Sequence, residues 1–275
     1  MDVKIYVPAG ALQQYVMNIS TVDAVLPEGI KDVVTPYPPT PFQSMIFYCD
    51  HQVDMANMKD RRFSRQPHSV LIGPQLSRVN IRVTNHLRAI RVDFHPGGMY
   101  RLLGMPMLEL SDAGFDAIDF FGTELKSLNE HLRNLESLEA GKGVVEKFLI
   151  AKAAKLKPAL PFDSAMRVLL KHNGLLSIEE TASLACLSIK QFERKCRERI
   201  GMNPKMYSRI LRFSKAYRLR ETYPHLNWIS IAYEAGYFDQ MHMIRDFKDF
   251  AGVNPSIIEQ ELGSTPLRMQ KDLPY

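Results

Sequence analysis

Four side chains in the stretch LSIKQFERKCRERIG (residues 187–201) could act together: Lys190, Gln191, Arg194 and Arg197 fall on one arc of a helix. Each can donate hydrogen bonds. Lysine and arginine suit the O6 and N7 acceptors of guanine, and glutamine can pair bidentately with adenine. Ile189, Phe192 and Cys196 take the opposite arc and are expected to face inward. Between residues 190 and 220 there are 11 Lys and Arg against 2 Glu, a net of +9, whereas the whole chain carries +5. The remainder must sum to about −4. Such asymmetry points to a polyanionic partner for one segment. A solvated helical face is the ordinary alternative.

Other chemistry has less support. The sequence contains no Gly-rich phosphate loop, HExxH, GxSxG or CxxC. Cys49, Cys186 and Cys196 are an odd number and far apart, so reduced thiols are expected, with no metal and no cofactor. Asp93 and His95 alternate on a strand-like run and could line a ligand pocket, although a satisfied or exposed pair is the plainer reading. Cys49, in IFYCDHQ, is the one thiol outside the basic half that could serve an enzyme. No apolar run reaches the ~18 residues of a membrane span. The opening MDVKIYVPAG lacks a basic segment followed by an apolar one, so a cytoplasmic protein without a secretory leader or membrane partner is expected.

These residues need elements to hold them. The first half reads as short antiparallel strands at residues 44–50, 69–74, 79–84 and 87–98, the pattern of a small sandwich or barrel. Helices follow, the clearest at 122–138 with Leu125, Leu128, Leu132 and Leu135 on one side, either packed on the sheet or used for self-association. KPALP (157–161) marks a boundary. The expected class is α+β: a β-rich domain over 1–157 ending in helices, an all-helical domain over 158–260, and a tail over 261–275.

The helical half carries an internal repeat. GMNP (201–204) and GVNP (252–255) lie 51 residues apart, as do Arg194 and Arg245, while Ala182 and Ala232 lie 50 apart. The second turn should therefore be one residue longer than the first. Ser177 with Glu180, and Ser188 with Gln191, have the spacing of capping boxes. Two short helices joined by about three residues form a helix-turn-helix outline, and residues 204–223 predict one rigid helix between the two units. At ~1.5 Å per residue such a rod spans ~30 Å, near one turn of a DNA duplex.

Residues 163–258 resemble the DNA-binding domain of AraC/XylS-type transcriptional regulators. The carriers are SIEETASLACLSIKQFERKCRERIGMNPKMYSRILRFSKAYRL and ISIAYEAGYFDQMHMIRDFKDFAGVNPSII. FHPGGMYRLLGM (94–105) is similar to a segment found in one group of them. The resemblance implies a cytoplasmic regulator without enzymatic activity. It further implies double-stranded DNA as partner, a cupin-like N-terminal domain that binds a small effector or forms a homodimer, and contact with RNA polymerase. It also places Lys190 and Arg194 at bases with Gln191 close by, and Gln240, Met241, Ile244 and Arg245 on the DNA side of the second reading helix. Relatives often have a small hydroxyl residue where Met241 stands, so either apolar contact with thymine methyls or a looser fit to the backbone is expected there, with less base-specific energy from the second head than from the first. Candidates for phosphate contact are Ser188, Lys195, Arg199, Lys205, Arg209, Asp239 and Lys248. Two other classes compete: a DNA-localised enzyme such as a thiol-based alkyl-transfer repair protein using Cys49, and a helical interaction module without DNA.

Overall fold

The computed structural model describes residues 1–58 and 62–273. The N-terminal strands are β1 (Asp2–Tyr6), β2 (Val16–Val25), β3 (Asp32–Tyr37), β4 (Ser44–Tyr48), β5 (Asp54–Asn57), β6 (Ser64–Arg65), β7 (Ser69–Ile72), β8 (Val79–Thr84) and β9 (His86–Phe94). After them come α1 (Gly98–Leu103), a 3-10 turn (Met107–Leu110), β10 (Gly114–Asp116), α2 (Ile118–Phe121), α3 (Thr123–Arg133) and α4 (Leu138–Ala153). The strands form two antiparallel sheets, one ordered β1-β2-β9-β4-β7-β10 and the other β3-β8-β5-β6. β3 lies at an edge, which is where its internal Pro36, lacking an N–H, is tolerated.

β9 shows how the layers arise. Ile90, Val92 and Phe94 point to one face and join Leu125, Leu128, Leu132, Val145 and Leu149 in a core between the larger sheet and α3 and α4. Leu87 and Ala89 point the other way, into a second core between the sheets. The leucine stripe of α3 is therefore spent on the sheet, which removes it as a surface for self-association.

The helical region comprises α5 (Pro161–Lys171), α6 (Ile178–Leu184), α7 (Ile189–Arg199), α8 (Pro204–Thr222), α9 (Trp228–Glu234), α10 (Gln240–Ala251) and α11 (Pro255–Gly263). α8 runs unbroken for 19 residues through the middle. Its Tyr207, Ile210, Leu211, Phe213, Ala216 and Tyr217 are buried, and the Phe213 ring lies 4.9 Å from Phe247 and 5.2 Å from Phe250. Beyond α11 the chain turns back. Leu267 enters the core between the two sheets, while Leu273 rejoins the helical core.

Candidate nucleic-acid interface

Two helix pairs flank α8, and both are built alike. Four residues separate α6 from α7 and five separate α9 from α10, the extra residue that the repeat requires. Both turns pass through the left-handed region, at Cys186 (φ 55°) and Gly236 (φ 83°). A side chain at Gly236 would also strike Leu175, 2.5 Å from the Cβ position. Ala182 and Ala232 are buried where the paired helices cross.

Side-chain caps fix where each helix begins. Ser177 Oγ accepts from the Glu180 amide and Glu180 accepts from the Ser177 amide, closing the box at α6. Ser188 and Gln191 do the same at α7. Asn227 caps α9 and Asp239 caps α10, each accepting from an amide three residues on. Asn203, followed by Pro204, starts α8 in the same manner.

The outward faces match position by position. On α7, Lys190, Arg194 and Arg197 are exposed and succeed one another at four and three residues. On α10, Met241, Arg245 and Lys248 stand 51 residues later, and they too are exposed. A family model described as a helix-turn-helix domain matches residues 181–268. The C-terminal region is an AraC-type helix-turn-helix domain. A domain of this kind is a unit that can place a helix in a DNA major groove.

A second family model, described as a domain of unknown function (DUF6597), matches residues 4–116. Among solved structures, ToxT from Vibrio cholerae O395 is similar at 12% identity over 89% of this chain and 99% of its own, with a TM-score of 0.48. ToxT from strain SCE256 with bound unsaturated fatty acid is similar at 11% identity over 90% of this chain and 98% of its own, with a TM-score of 0.48. A transcriptional regulator with an AraC-type DNA-binding domain from Chromobacterium violaceum is similar at 18% identity over 39% of this chain and 95% of its own, with a TM-score of 0.35. None of the curated proteins matches the chain.

The outer face of the AraC-type domain is less basic than the sequence implies, because several of its cations are used internally. Arg199 is buried, its Nε and Nη2 donating to Asp163 at 3.0 and 2.7 Å, so it is not placed to meet a phosphate. Arg209 binds Asp246 at 2.7 Å and also Asp249. Arg220 binds Glu259 at 2.8 Å and lies over the Trp228 ring. Lys195 is half-buried and bound to Glu198 at 2.9 Å. Lys205 and Lys248 are exposed and have no ion pair among the described residues. Gln191 folds back on Ser188, which makes it a cap rather than a reader in this conformation. Ser188 and Asp239 each accept the amide three residues on, but the Asp239 carboxylate adds a negative charge that repels a phosphate at that helix end, whereas Ser188 adds none.

Apolar positions also differ from expectation. Ile189, expected inside, is 44% exposed, because as the first residue of α7 it precedes the buried stripe of Phe192 and Cys196. Gln240 and Ile244 are half-buried. Phe238, which precedes the Asp239 cap, is 92% exposed. Periodicity could not find it, because it lies in a turn.

α7 is also held from the N-terminal side. Tyr100 OH donates to Glu198 at 2.5 Å, and the Arg199 guanidinium lies 4.5 Å from the Tyr100 ring. Gln43 Nε2 donates to the Ile200 carbonyl at 3.0 Å. Gly97 permits the approach of α5, since a side chain there would meet Asp163 Oδ1 at 2.4 Å.

Asp93 and His95 do not form the expected pair. Asp93 is fully buried and lines a cavity between the sheets, whereas β9 ends at Phe94 and His95 lies outside that cavity. Burial, reinforced by Arg167, lowers His95 to about 4, which keeps it neutral. Cys49 is buried too, and burial pushes its thiol up to about 11. An alkyl-accepting thiol needs the opposite shift. No group of residues among those described could hold a metal ion, and no described helix is long and apolar enough to cross a membrane.

Proposed function

We propose that this protein is a sequence-specific regulator that sets α7 and α10 in successive major grooves on one face of a DNA duplex. The observation that carries this reading is the repeated outward triplet, Lys190/Arg194/Arg197 and Met241/Arg245/Lys248, on two capped helices joined by one unbroken rod. Lys190 and Arg194 read guanine edges. Met241 and Ile244, joined by the exposed Phe238, give the second helix an apolar front suited to thymine methyls. Lys205 and Lys248 hold phosphates, setting register without reading sequence. The division into a domain over 1–157, a DNA-binding domain over 158–260 and a tail fits the separate cores, although the tail belongs to both.

The N-terminal domain is the seat of a small-molecule effector, because its apolar cavity lies in the part of the chain that grips α7. A homodimer and contact with RNA polymerase follow from the family resemblance alone. A dimer would need a surface other than the leucine stripe. Selection of binding sites from random duplexes at a stated salt concentration tests the docking. Enrichment of two motifs one helical turn apart, the second T-rich, is expected; a single short motif would sink the two-headed reading.

A further inference from the structure

The cavity between the two sheets has a volume of about 130 Å³, close to that of apolar cavities known to take a benzene-sized guest. Val22, Ile46, Val53, Ile81 and Ala89 make its walls apolar. Its polar end is a closed cluster. Asp93 Oδ1 accepts from Arg91 Nε at 2.7 Å and from Ser44 Oγ at 2.6 Å, and Arg91 also donates to Tyr37 OH. Asp93 Oδ2, by contrast, is buried without a hydrogen-bond partner. A carboxylate oxygen in that position calls for a donor. The donor at that oxygen should be uncharged, because Arg91 already neutralises Asp93.

A further part of the wall comes from the far end of the chain. Arg268, Met269, Asp272 and Leu273 line the same cavity. That tail is fastened to the rod of the DNA-binding domain: the Gln270 amide donates to Glu221 at 3.0 Å, and Arg218 donates to the Leu273 carbonyl at 2.7 Å. Gln270 Nε2 reaches the Pro38 carbonyl beside β3 at 2.7 Å.

We propose that the cavity takes a neutral, one-ring apolar molecule whose hydroxyl donates to Asp93, and that this molecule packs against the C-terminal tail, so that α8 senses whether the cavity is filled. The inference rests on the effector-responsive reading above and adds the ligand class and the element that reports it. A molecule touching both Asp93 and Met269 bridges the sheets to residues tied directly to α8, and filling the cavity stabilises the docked tail.

The test uses a matched pair of probes, 4-methylphenol and toluene, with the full chain and no DNA. Calorimetry should show 4-methylphenol binding at least roughly tenfold tighter than toluene, the worth of a buried hydrogen bond to a charged acceptor. In Asp93→Asn that preference should vanish. Ala89→Phe, which fills the cavity while every residue of the polar cluster is kept, should abolish binding of both probes in a chain whose circular dichroism is unchanged. Saturation with 4-methylphenol should slow amide hydrogen exchange across residues 265–273. Equal binding of the two probes, no saturable binding of either, or binding that survives Ala89→Phe would overturn the ligand assignment. Unchanged exchange in the tail would overturn the coupling. Arg194→Ala, which addresses DNA reading alone, should leave all of these readouts as they are.

Discussion

Arg194 and Arg199 lie on the same helix and do opposite work. Arg194 is exposed on the outward stripe, and Arg199 is buried against Asp163. Arg194→Ala should cost about 1–3 kcal/mol of binding to the selected site and relax preference at one base pair. Competition between site variants in a fluorescence anisotropy titration measures both effects; unchanged affinity with an unchanged sequence profile would remove Arg194 from the interface. Cys186 gives a second prediction at this scale. It holds φ 55° in the turn where the other unit has Gly236. A β-carbon in that region costs roughly 1–2 kcal/mol, so Cys186→Gly should stabilise the chain by about 1 kcal/mol once the added freedom of the unfolded chain is offset. Urea unfolding reads the gain; a loss would mean that the thiol makes a compensating contact.

Between elements, the critical contact is α5 against the end of α7. Asp163 caps its own helix through the Leu160 amide and holds Arg199 by both carboxylate oxygens. Asp163→Ala would leave a buried guanidinium unpaired, and a loss of about 3–5 kcal/mol is expected in chemical denaturation. The tail and α8 meet at Glu221, which burial pushes up to about 7. It faces Arg268, Asp272 and the Gln270 and Lys271 amides from the tail, with Tyr217 on its own helix and Tyr37 on β3 nearby. The folded chain holds this proton more tightly than the unfolded one. Its contribution is therefore full below pH 4.5 and is lost as pH rises through about 7. The difference in unfolding free energy between the native chain and Glu221→Gln should shift by on the order of 3 kcal/mol across that window. A flat difference would place Glu221 in contact with water.

Local signals decided which of these elements could be read from sequence. Each unit of the helical half has side-chain caps, an Asn-Pro start and a period near 3.6, and its repeat predicted even the longer second turn. β2 escaped notice because VMNISTVDAV is buried on both faces, with Asn18, Ser20 and Thr21 inside, and so shows no alternation. The partners Asp163 for Arg199 and Asp246 for Arg209 are 36 and 37 residues away in sequence, beyond any local pattern. The tail's insertion between the sheets pairs Gln270 with Pro38 across 232 residues, and nothing in its composition announces that.

For the whole molecule these pairings alter how DNA binding should respond to salt. Taken at face value, +9 over residues 190–220 suggests many phosphate contacts. Arg199, Arg209 and Arg220 are bound to carboxylates, while Arg212 and Arg218 donate to the carbonyls of Gly174 and Leu273. Lys215 is half-buried on α8, so the cations left to face a duplex backbone are chiefly Arg197 and Lys205, with Lys248 from α10 and with Lys195 where it exchanges Glu198 for a phosphate. Each neutralised phosphate contributes about −0.9 to the slope of log K against log salt, so a slope of roughly −3 to −4 is expected. Lys205→Ala should reduce its magnitude by about 1 and weaken all sequences alike. Arg209→Ala should lower stability and leave the slope unchanged, because its charge is already neutralised inside the protein. Affinities measured from 50 to 300 mM salt decide the matter. A slope near −8 would mean that the internal ion pairs open when the protein meets DNA, and the two reading helices would then be held by a looser frame than the one described.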